Sequence, residues 1–500
     1  MRLSKVMLGT GAQGAPGSDP EIALVTGDSR EVVPGALFCA LPGTKADGHA
    51  FAAEAARRGA VAVVAERAVD CAPALLLLAP SARRAMAIAA SNFFGRPGEA
   101  MKLVGVTGTN GKTTVTYLVE ACAAAAALPC AVLGTVSARW PGGSRAARHT
   151  TPESTELQAT LATARDAGAR LGILEVSSHA LAQERAAGLA FDAAGFTNLT
   201  RDHLDYHGDL EAYFLAKRRL FAEHLRPAGV AVVNADDPFG ARLAEELERS
   251  GGAPWRFGAA GGRELSASGV RTGLAGIEAT LATPAGAVAL RSPLVGAHNL
   301  ENLLCAAGLA LAAGLPRTAV ERGLAGCPGA PGRLERIEAR GITAFVDYAH
   351  TDDALTRALA ALRALAPRRL VVVFGCGGDR DPGKRPLMGA AAARGADLAV
   401  VTSDNPRTED PAAIIAAIVP GLEGAGAARL DERRARAGER GYLVVPDRRE
   451  AISIALAAAR SGDAVLVAGK GHEDYQIVGA ERRPFDDREE TRRALGMPPP

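Results

Sequence analysis

Residues Val104–Glu120 read VGVTGTNGKTTVTYLVE. An apolar, strand-like run ends in Gly108-Thr109-Asn110-Gly111, and Lys112-Thr113-Thr114 opens a helix-like run. Glycines there let backbone N–H groups close on phosphate oxygens, and a helix N-terminus adds a favourable dipole. A lysine at this place neutralises phosphate charge, and a threonine hydroxyl suits Mg²⁺. The spacing departs from the strict phosphate-loop pattern, which asks for glycine five residues before Gly111, where Val106 stands. A Gly-rich strand–helix turn is the bland alternative. Gly-Lys-Thr-Thr at a helix start favours a nucleoside triphosphate, without naming a reaction.

The loop sits inside a regular alternation. From Lys102, the strand-like runs KLVGVTG, LGILEVSS, AAGFTNL and GVAVVNAD are separated by Ala-rich helical stretches, which implies a parallel sheet covered by helices. A polar, Gly-rich stretch at 251–295 reads as excursion strands or loops. Beyond Gly326–Glu335 (GCPGAPGRLE) the alternation restarts with ITAFVDYAH, RRLVVVFGCGG, DLAVVTSD and DAVLVAGKG, each expected to lead into a helix. Before it all, GALFCALPG and GAVAVVAE lie between Gly/Pro punctuation that ends at FFGRPGEAMK, which reads as a linker.

The expected fold class is therefore α/β with three domains. They are a smaller N-terminal α/β domain over 1–97, a central parallel-sheet phosphate-loop domain over 98–330, and a Rossmann-like α/β domain over 331–500. A chain of 500 residues is too long for one core and accommodates about three of ordinary size.

Bulk properties exclude some classes. A net charge of +2 offers no field for nucleic acid or an anionic membrane. Seven scattered cysteines with no CxxC suit a reducing compartment. No secretory signal is visible, and the uncharged window Ala121–Ala138 is mostly alanine with Pro129 inside it. It reads as the end of a buried helix, a turn and a short strand. A cytoplasmic monomer is expected.

Other segments carry chemistry-bearing residues. LEVSSHALAQER places Glu175 at a strand end, where a carboxylate is more often solvated than metal-bound. FTNLTRDHLDYHG holds His203 in a loop, and AYFLAKRRLF holds Lys217 in what would ordinarily be a solvated helix face. GAHNLENLLCAAGLA puts His298, Asn299 and Asn302 at a helix start, where caps are the plain reading. PGRLERI carries Arg333, and VDYAHTDDAL carries Asp347, Tyr348 and His350 at a strand's carboxyl end. FGCGGDRDPGKRPLMG is no dinucleotide site, because Arg380 stands where G-x-G-x-x-G needs its last glycine. TSDNPRTEDP, a turn by composition, holds Asp404, Asn405, Pro406 and Arg407, and GKGHEDYQ holds Gly469 and Glu473.

Taken in this order, TGTNGKTT and the motifs after it resemble the Mur ligase family over nearly the whole chain; folylpolyglutamate synthetases share the loop spacing. The resemblance implies ATP-dependent amide ligation with Mg²⁺, two ions being expected. Gly108, Thr109, Asn110, Gly111, Lys112, Thr113 and Thr114, with His298, Asn299, Asn302, Arg333, Asp347, Tyr348 and His350, would then bind ATP. Lys112, Glu175, His203 and Lys217 would be catalytic. Thr113, Glu175, His203 and Lys217, the last as a carbamate formed with CO₂, would ligate metal. DSREVVPGALFCALPGTKADGHAF (Asp28–Phe51) resembles a uridine-nucleotide segment with Ser29 as contact. Thr150 and Thr151 of HTTPES, with Ser177, Gln183 and Arg185, would hold the UDP-sugar.

In the subgroup that adds meso-diaminopimelate, Asp-Asn-Pro-Arg reads the amino acid. Arg380, Asp404, Asn405, Pro406, Arg407, Gly469 and Glu473 would do so here. The implied reaction joins meso-diaminopimelate to the D-Glu of UDP-N-acetylmuramoyl-L-alanyl-D-glutamate in peptidoglycan precursor synthesis, through an acyl phosphate and with domain closure. A lysine-adding relative is disfavoured by Arg407, which would go unpaired against lysine. Folylpolyglutamate synthetases lack the uridine-type N-terminal domain. A non-catalytic nucleotide-gated scaffold would be expected to lose Lys112, Lys217 or His203. The family usually has proline where Asp352 stands, a change of loop stiffness.

Overall fold

The structure is a computed structural model that describes residues 1–14, 17–43, 46–258 and 262–498. Residues 44 and 45 of the Asp28–Phe51 segment and 259–261 of the 251–295 stretch therefore lie outside the described residues. The fold is α/β throughout, with N-terminal, central and C-terminal sheets.

The N-terminal sheet has four parallel strands in order Leu24–Thr26, Ala36–Cys39, Ala60–Ala65 and Leu75–Leu78. The FFGRPGEAMK stretch is no free linker. It finishes the helix Ala82–Phe93 and forms the 3₁₀ turn Pro97–Glu99 with Pro97 and Gly98 buried. Ser91 donates to the Gly188 carbonyl at 3.4 Å, and Arg84 pairs with Glu184 at 3.2 Å. These contacts join the first sheet to the central one in a single compact unit.

In that unit the central strand order is Trp255–Gly258, Leu225–Asn234, Phe191–Phe196, Lys102–Thr107, Leu171–Glu175, Cys130–Leu133, Ser137–Trp140 and Gly143–Ala146. The strand Lys102–Thr107 is buried beyond its first residue, as a strand covered on both faces must be. From it the chain passes through the helix Lys112–Ala125 to Cys130–Leu133, which pairs with Leu171–Glu175 instead. Connections thus leave Lys102–Thr107 toward one side of the sheet and return to Phe191–Phe196 on the other. Such a switch opens a crevice at the strands' carboxyl ends. Register sets Glu175 abreast of Val106 and Phe196 abreast of Thr107, so three strand ends face the glycine loop together.

The 251–295 stretch is strands rather than loops. Trp255–Gly258 pairs in parallel with Leu225–Asn234, and Leu265–Gly273 with Trp255–Gly258; Gly276–Ala282 and Val288–Ser292 follow. The Ala121–Ala138 window is, as expected, a helix end, a turn and a strand, with a second strand beginning at Ser137. Among the described residues no helix is long and apolar enough to cross a membrane.

The second compact unit contains the C-terminal sheet, in order Glu335–Ala339, Ile342–Asp347, Ala464–Ala468, Leu370–Phe374, Leu398–Val401 and Gly441–Val444. The first pair is antiparallel and the rest are parallel. Period-two alternation splits each central strand between two cores. Leu370, Val372 and Phe374 pack with Leu359, Met388 and Ile418, while Val371 and Val373 pack with Ile452 and Leu456 on the other face. One expectation fails: Ala464–Ala468 leads first into an antiparallel hairpin, Tyr475–Val478 with Glu481–Pro484, before the helix Asp487–Ala494. Asp352 is the first residue of the helix Asp352–Arg363, capped by Thr351. Proline suits that first position, and an acid there complements the helix dipole, so the exchange affects a helix start and not chemistry.

Candidate active site

Two lysines meet one oxygen at the loop. Lys112 Nζ donates to the Gly108 carbonyl at 2.8 Å and to the Thr109 carbonyl at 3.0 Å. Lys217 Nζ, from the helix Leu210–Ala222, donates to the same Gly108 carbonyl at 2.9 Å. Lys217 is only 1% exposed, so the solvated-face reading of its Lys-Arg-Arg run fails. Burial first, then the neighbouring Lys112 charge, pull its amine well below the usual lysine range. Its Nζ also lies 4.3 Å over the Tyr213 ring.

Glycine is required at Gly108. Its φ is +144°, and a Cβ would lie 1.9 Å from Thr197 Oγ1. The loop is tied down by Thr109 N–H to the Asn198 carbonyl at 2.8 Å and Asn110 N–H to Asn198 Oδ1 at 3.0 Å. Asn302 closes on the loop, since a Cβ on Gly111 would meet its Oδ1 at 2.3 Å.

Glu175 is 1% exposed, which overturns the solvated reading. Its Oε2 accepts from the Thr113 and Thr135 hydroxyls, both at 3.0 Å, and Oε1 accepts from Thr135 N–H at 2.8 Å. Thr135 was not legible in the sequence. It follows a short strand with no motif, and only the fold brings it to Glu175. Thr135 Oγ1 lies 3.1 Å from Thr150 Oγ1, and Thr151 Oγ1 donates to the Glu175 carbonyl at 2.8 Å. Arg185 then donates to the Thr151 carbonyl at 2.8 Å and to Gln183 Oε1 at 2.7 Å, while Ser177 N–H donates to Thr151 Oγ1 at 3.0 Å. Five of the six expected sugar-nucleotide residues thus form one continuous patch beside Glu175. Ser29 does not join it. It opens the 3₁₀ turn Ser29–Glu31 in the N-terminal sheet, and among the described residues its side chain makes no hydrogen bond to this group.

His203 caps the short helix Leu204–His207 with φ +53° and has a half-exposed side chain. Its ring stands edge-on to His179 at 4.8 Å and to Tyr213 at 6.1 Å, so Tyr213 bridges His203 and Lys217. His207 hydrogen-bonds Ser178 Oγ at 3.0 Å, and burial with His179 nearby pulls its imidazole down to about 4.

For a divalent cation, Thr113 and Glu175 supply adjacent hard oxygens. Among the described residues no three His, Cys, Asp or Glu side chains gather as a self-sufficient metal cage. One carboxylate, one hydroxyl, water and substrate phosphate are the ordinary ligands of Mg²⁺, and this donor set fits that ion.

In the second unit, Arg333 lies 5.1 Å from the Tyr348 ring, which meets His350 at 4.7 Å and His472 at 5.2 Å. Asp347 accepts from Leu334 N–H at 2.7 Å and Ala349 N–H at 2.9 Å. The four expected residues Arg333, Asp347, Tyr348 and His350 form one group, to which the fold adds His472. On the helix Ala297–Ala312, Asn299 Nδ2 donates to the Val295 carbonyl at 2.8 Å, tying the first helical turn to the segment before it, and His298 stands exposed one residue earlier.

The amino-acid motif also assembles. Asp404 and Asn405 are buried. Asn405 Nδ2 donates to Glu473 Oε2 at 2.9 Å. A Cβ on Gly469 would lie 2.9 Å from Asp404 Oδ2, and one on Gly378 1.9 Å from the Pro406 carbonyl. Arg407 has φ +52° and donates Nη1 to the Gly378 carbonyl at 2.7 Å. A Cβ on Gly377 would lie 2.9 Å from Arg407 Nη1 and 3.9 Å from Arg380 Cγ, so the two arginines stand side by side.

A strand–loop–helix cradle, two lysines on one carbonyl and a buried carboxylate at a sheet switch point define an α/β enzyme that handles phosphate. Comparison with known proteins agrees. The chain matches the Mur ligase middle domain over residues 106–310, the Mur ligase glutamate ligase domain over 332–471, and the Mur ligase family catalytic domain over 21–94. It is 48% identical over 478 residues to the UDP-N-acetylmuramoyl-L-alanyl-D-glutamate–2,6-diaminopimelate ligase of Geobacter metallireducens, covering 94% of this chain and 93% of the relative. To the protein of that name in Gloeobacter violaceus it is 46% identical over 500 residues, covering 99% and 98%. A solved structure of a ligase of that name superposes with a TM-score of 0.72 at 36% identity, covering 95% of each chain. A Mycobacterium tuberculosis folylpolyglutamate synthase, at 21% identity and TM-score 0.59, covering 82% of this chain and 95% of that one, shares the fold alone. The chain belongs to the Mur ligase family.

Proposed function

We propose that this enzyme joins meso-diaminopimelate to the D-Glu side chain of UDP-N-acetylmuramoyl-L-alanyl-D-glutamate, with ATP cleaved to ADP and phosphate. The convergence of Lys112 and Lys217 on the Gly108 carbonyl, beside buried Glu175, carries this reading. The relatives' shared activity sets the substrates.

The triphosphate lies on the loop N–H groups from Gly108 to Thr114, with Lys112 drawn from the loop carbonyls onto phosphate oxygens. The D-Glu carboxylate oxygen attacks the γ-phosphorus, and the bond to the ADP oxygen breaks. The amine of diaminopimelate then adds to the acyl carbon and loses a proton, and phosphate leaves as the carbon–oxygen bond breaks. Both partners of the first step are anions, so charge neutralisation and positioning are the main catalytic requirements. Thr113, Glu175, His203 and the Lys217 carbamate would hold two Mg²⁺ ions, which supply positive charge to the phosphates and the carboxylate. The patch Thr150, Thr151, Ser177, Gln183 and Arg185, with Ser29, takes the sugar nucleotide, and Arg380, Arg407, Asp404, Asn405 and Glu473 take the amino acid. Residues 1–97, 98–330 and 331–500 then divide the work as sugar-nucleotide, ATP and amino-acid domains.

Phosphate release is expected to require ATP, the UDP-muramoyl dipeptide and diaminopimelate together. Without diaminopimelate the enzyme should accumulate an acyl phosphate trappable by hydroxylamine. Amide formation by free amine with no phosphorylated intermediate would refute the order. Gly108→Ala should weaken ATP binding by about tenfold or more through strain at a position closed to a Cβ, measured by titration calorimetry on protein of unchanged circular dichroism.

A further inference from the structure

Lys470 is a fully buried cation that the reaction above leaves without a part: it is 0% exposed, in the turn after the strand Ala464–Ala468. Its Nζ donates to Asn405 Oδ1 at 2.8 Å and to the Tyr475 carbonyl at 2.7 Å. It also lies 3.5 Å from Asp404 Oδ1 and 3.8 Å from Glu473 Oε2. A buried ammonium is costly unless its neighbours use its charge and its donors. Here three of the four neighbours, Asn405, Asp404 and Glu473, belong to the set expected to read the amino acid.

The consequence runs through Asn405. Its amide oxygen accepts from Lys470 Nζ and, at 3.0 Å, from Ile477 N–H, which fills both lone pairs. The amide is thereby fixed with Nδ2 toward Glu473, to which it donates at 2.9 Å. Lys470 thus orients the group that orients Glu473, and its charge lies between two carboxylates that would otherwise repel. Among the described residues Asp404 Oδ1 has no hydrogen-bond partner, so the cation 3.5 Å away is its compensation. A second buried cation, Arg448, is paired with Asp487 at 2.6 Å with both side chains 0% exposed, and its hydrogen bonds go to Asp487 and the Ala468 carbonyl rather than to Asn405.

We infer that Lys470 is a positioning residue for diaminopimelate, holding the Asn405 amide and the Glu473 carboxylate in the arrangement that receives the substrate's distal ammonium. This rests on the diaminopimelate reading above and assigns the residue that preorganises that pocket.

The test is a double-mutant cycle on the full chain, following phosphate release with each substrate varied in turn. Lys470→Met should raise KM for diaminopimelate about tenfold, while KM for ATP moves less than about twofold, because the Asn405 oxygen loses a donor in a buried place. Glu473→Gln should raise KM for diaminopimelate on its own. The double variant should fall well short of the product of the two, since both act through one arrangement. A product-like double variant, or an unchanged KM for diaminopimelate with only a lowered Tm, overturns the positioning role and leaves Lys470 structural. Should Lys470→Met not fold, Lys470→Gln is judged by the same criteria. If Glu473→Gln alone leaves KM for diaminopimelate unchanged, the substrate reading itself falls, whatever Lys470 does.

Discussion

Lys217→Met is expected to lower kcat by about a thousandfold, the scale of losing a preorganised electrostatic group in a dry site, while the melting temperature holds or rises. Methionine keeps the stem and removes a buried amine that burial and Lys112 already force toward neutrality. A neutral amine is nucleophilic. On the proposed mechanism, attack on CO₂ would form a nitrogen–carbon bond, move one C=O pair onto oxygen and release a proton, leaving an anionic carbamate where an ammonium would repel Lys112 and metal alike.

The pH dependence has a definite sign. Because the folded value lies below the ordinary 10.5, folding disfavours the protonated form. The penalty is full at pH below the folded value, shrinks as pH rises through it, and is gone above 10.5. The unmodified enzyme should therefore gain stability on raising pH through that window, a slope Lys217→Met should lack. Stripping CO₂ from the buffers should depress wild-type activity and leave the variant's residual rate unmoved. A variant within tenfold of wild type would remove the carbamate from the mechanism.

Lys217 also marks where sequence reasoning reached its limit. Lys-Arg-Arg in a helix looks solvated, and only the resemblance gave its first lysine a role. The structure supplies the reason, since the helix Leu210–Ala222 buries Tyr213, Phe214, Lys217 and Leu220 on one face while Arg218 and Arg219 point to carboxylates outside. Lys102–Thr107 and the glycine loop were legible because local chemistry dictates them. Strand, glycine with positive φ, and helix start each leave a residue signature. Glu175 was legible as a strand end but not as buried, because its shielding comes from Thr135, forty residues away in the chain. Lys470 was hidden for the same reason. It lies inside GKGHEDYQ, yet its partner Asn405 comes from another strand end, 65 positions earlier. Ser29 marks the opposite case, where the motif matched and the fold leaves the residue apart from the Thr150–Arg185 patch.

Arg407→Ala should cut kcat/KM for diaminopimelate by about a hundredfold or more, the cost of removing one member of a hydrogen-bonded charge pair. The relative use of lysine should rise at the same time. A guanidinium fork matches a carboxylate through two parallel hydrogen bonds, and lysine has no carboxylate at its far end. Wild type should therefore prefer diaminopimelate over lysine by about 10⁴, the discrimination available when a polar pocket would be left unpaired. In the variant that ratio should collapse toward about 10², because neither substrate then leaves a guanidinium unpaired.

The backbone gives this variant a clean meaning. Arg407 already stands at φ +52°, so alanine adds no conformational strain that arginine does not carry. The turn is pinned by Arg407 N–H to the Ile477 carbonyl at 3.1 Å and Gly479 N–H to the Arg407 carbonyl at 2.7 Å, bonds that no side chain makes. Arg380 is exposed, and its Nη1 donates to the Asp379 carbonyl at 3.1 Å, whereas Arg407 is half-buried. Gly377→Ala offers the graded control. Its Cβ would press on Arg407 Nη1 at 2.9 Å, displacing the fork without deleting it, and should produce the same shift in selectivity at reduced size. Diaminopimelate use untouched by Arg407→Ala would mean that the fork faces some other carboxylate, and the amino-acid pocket would have to be sought elsewhere on the chain.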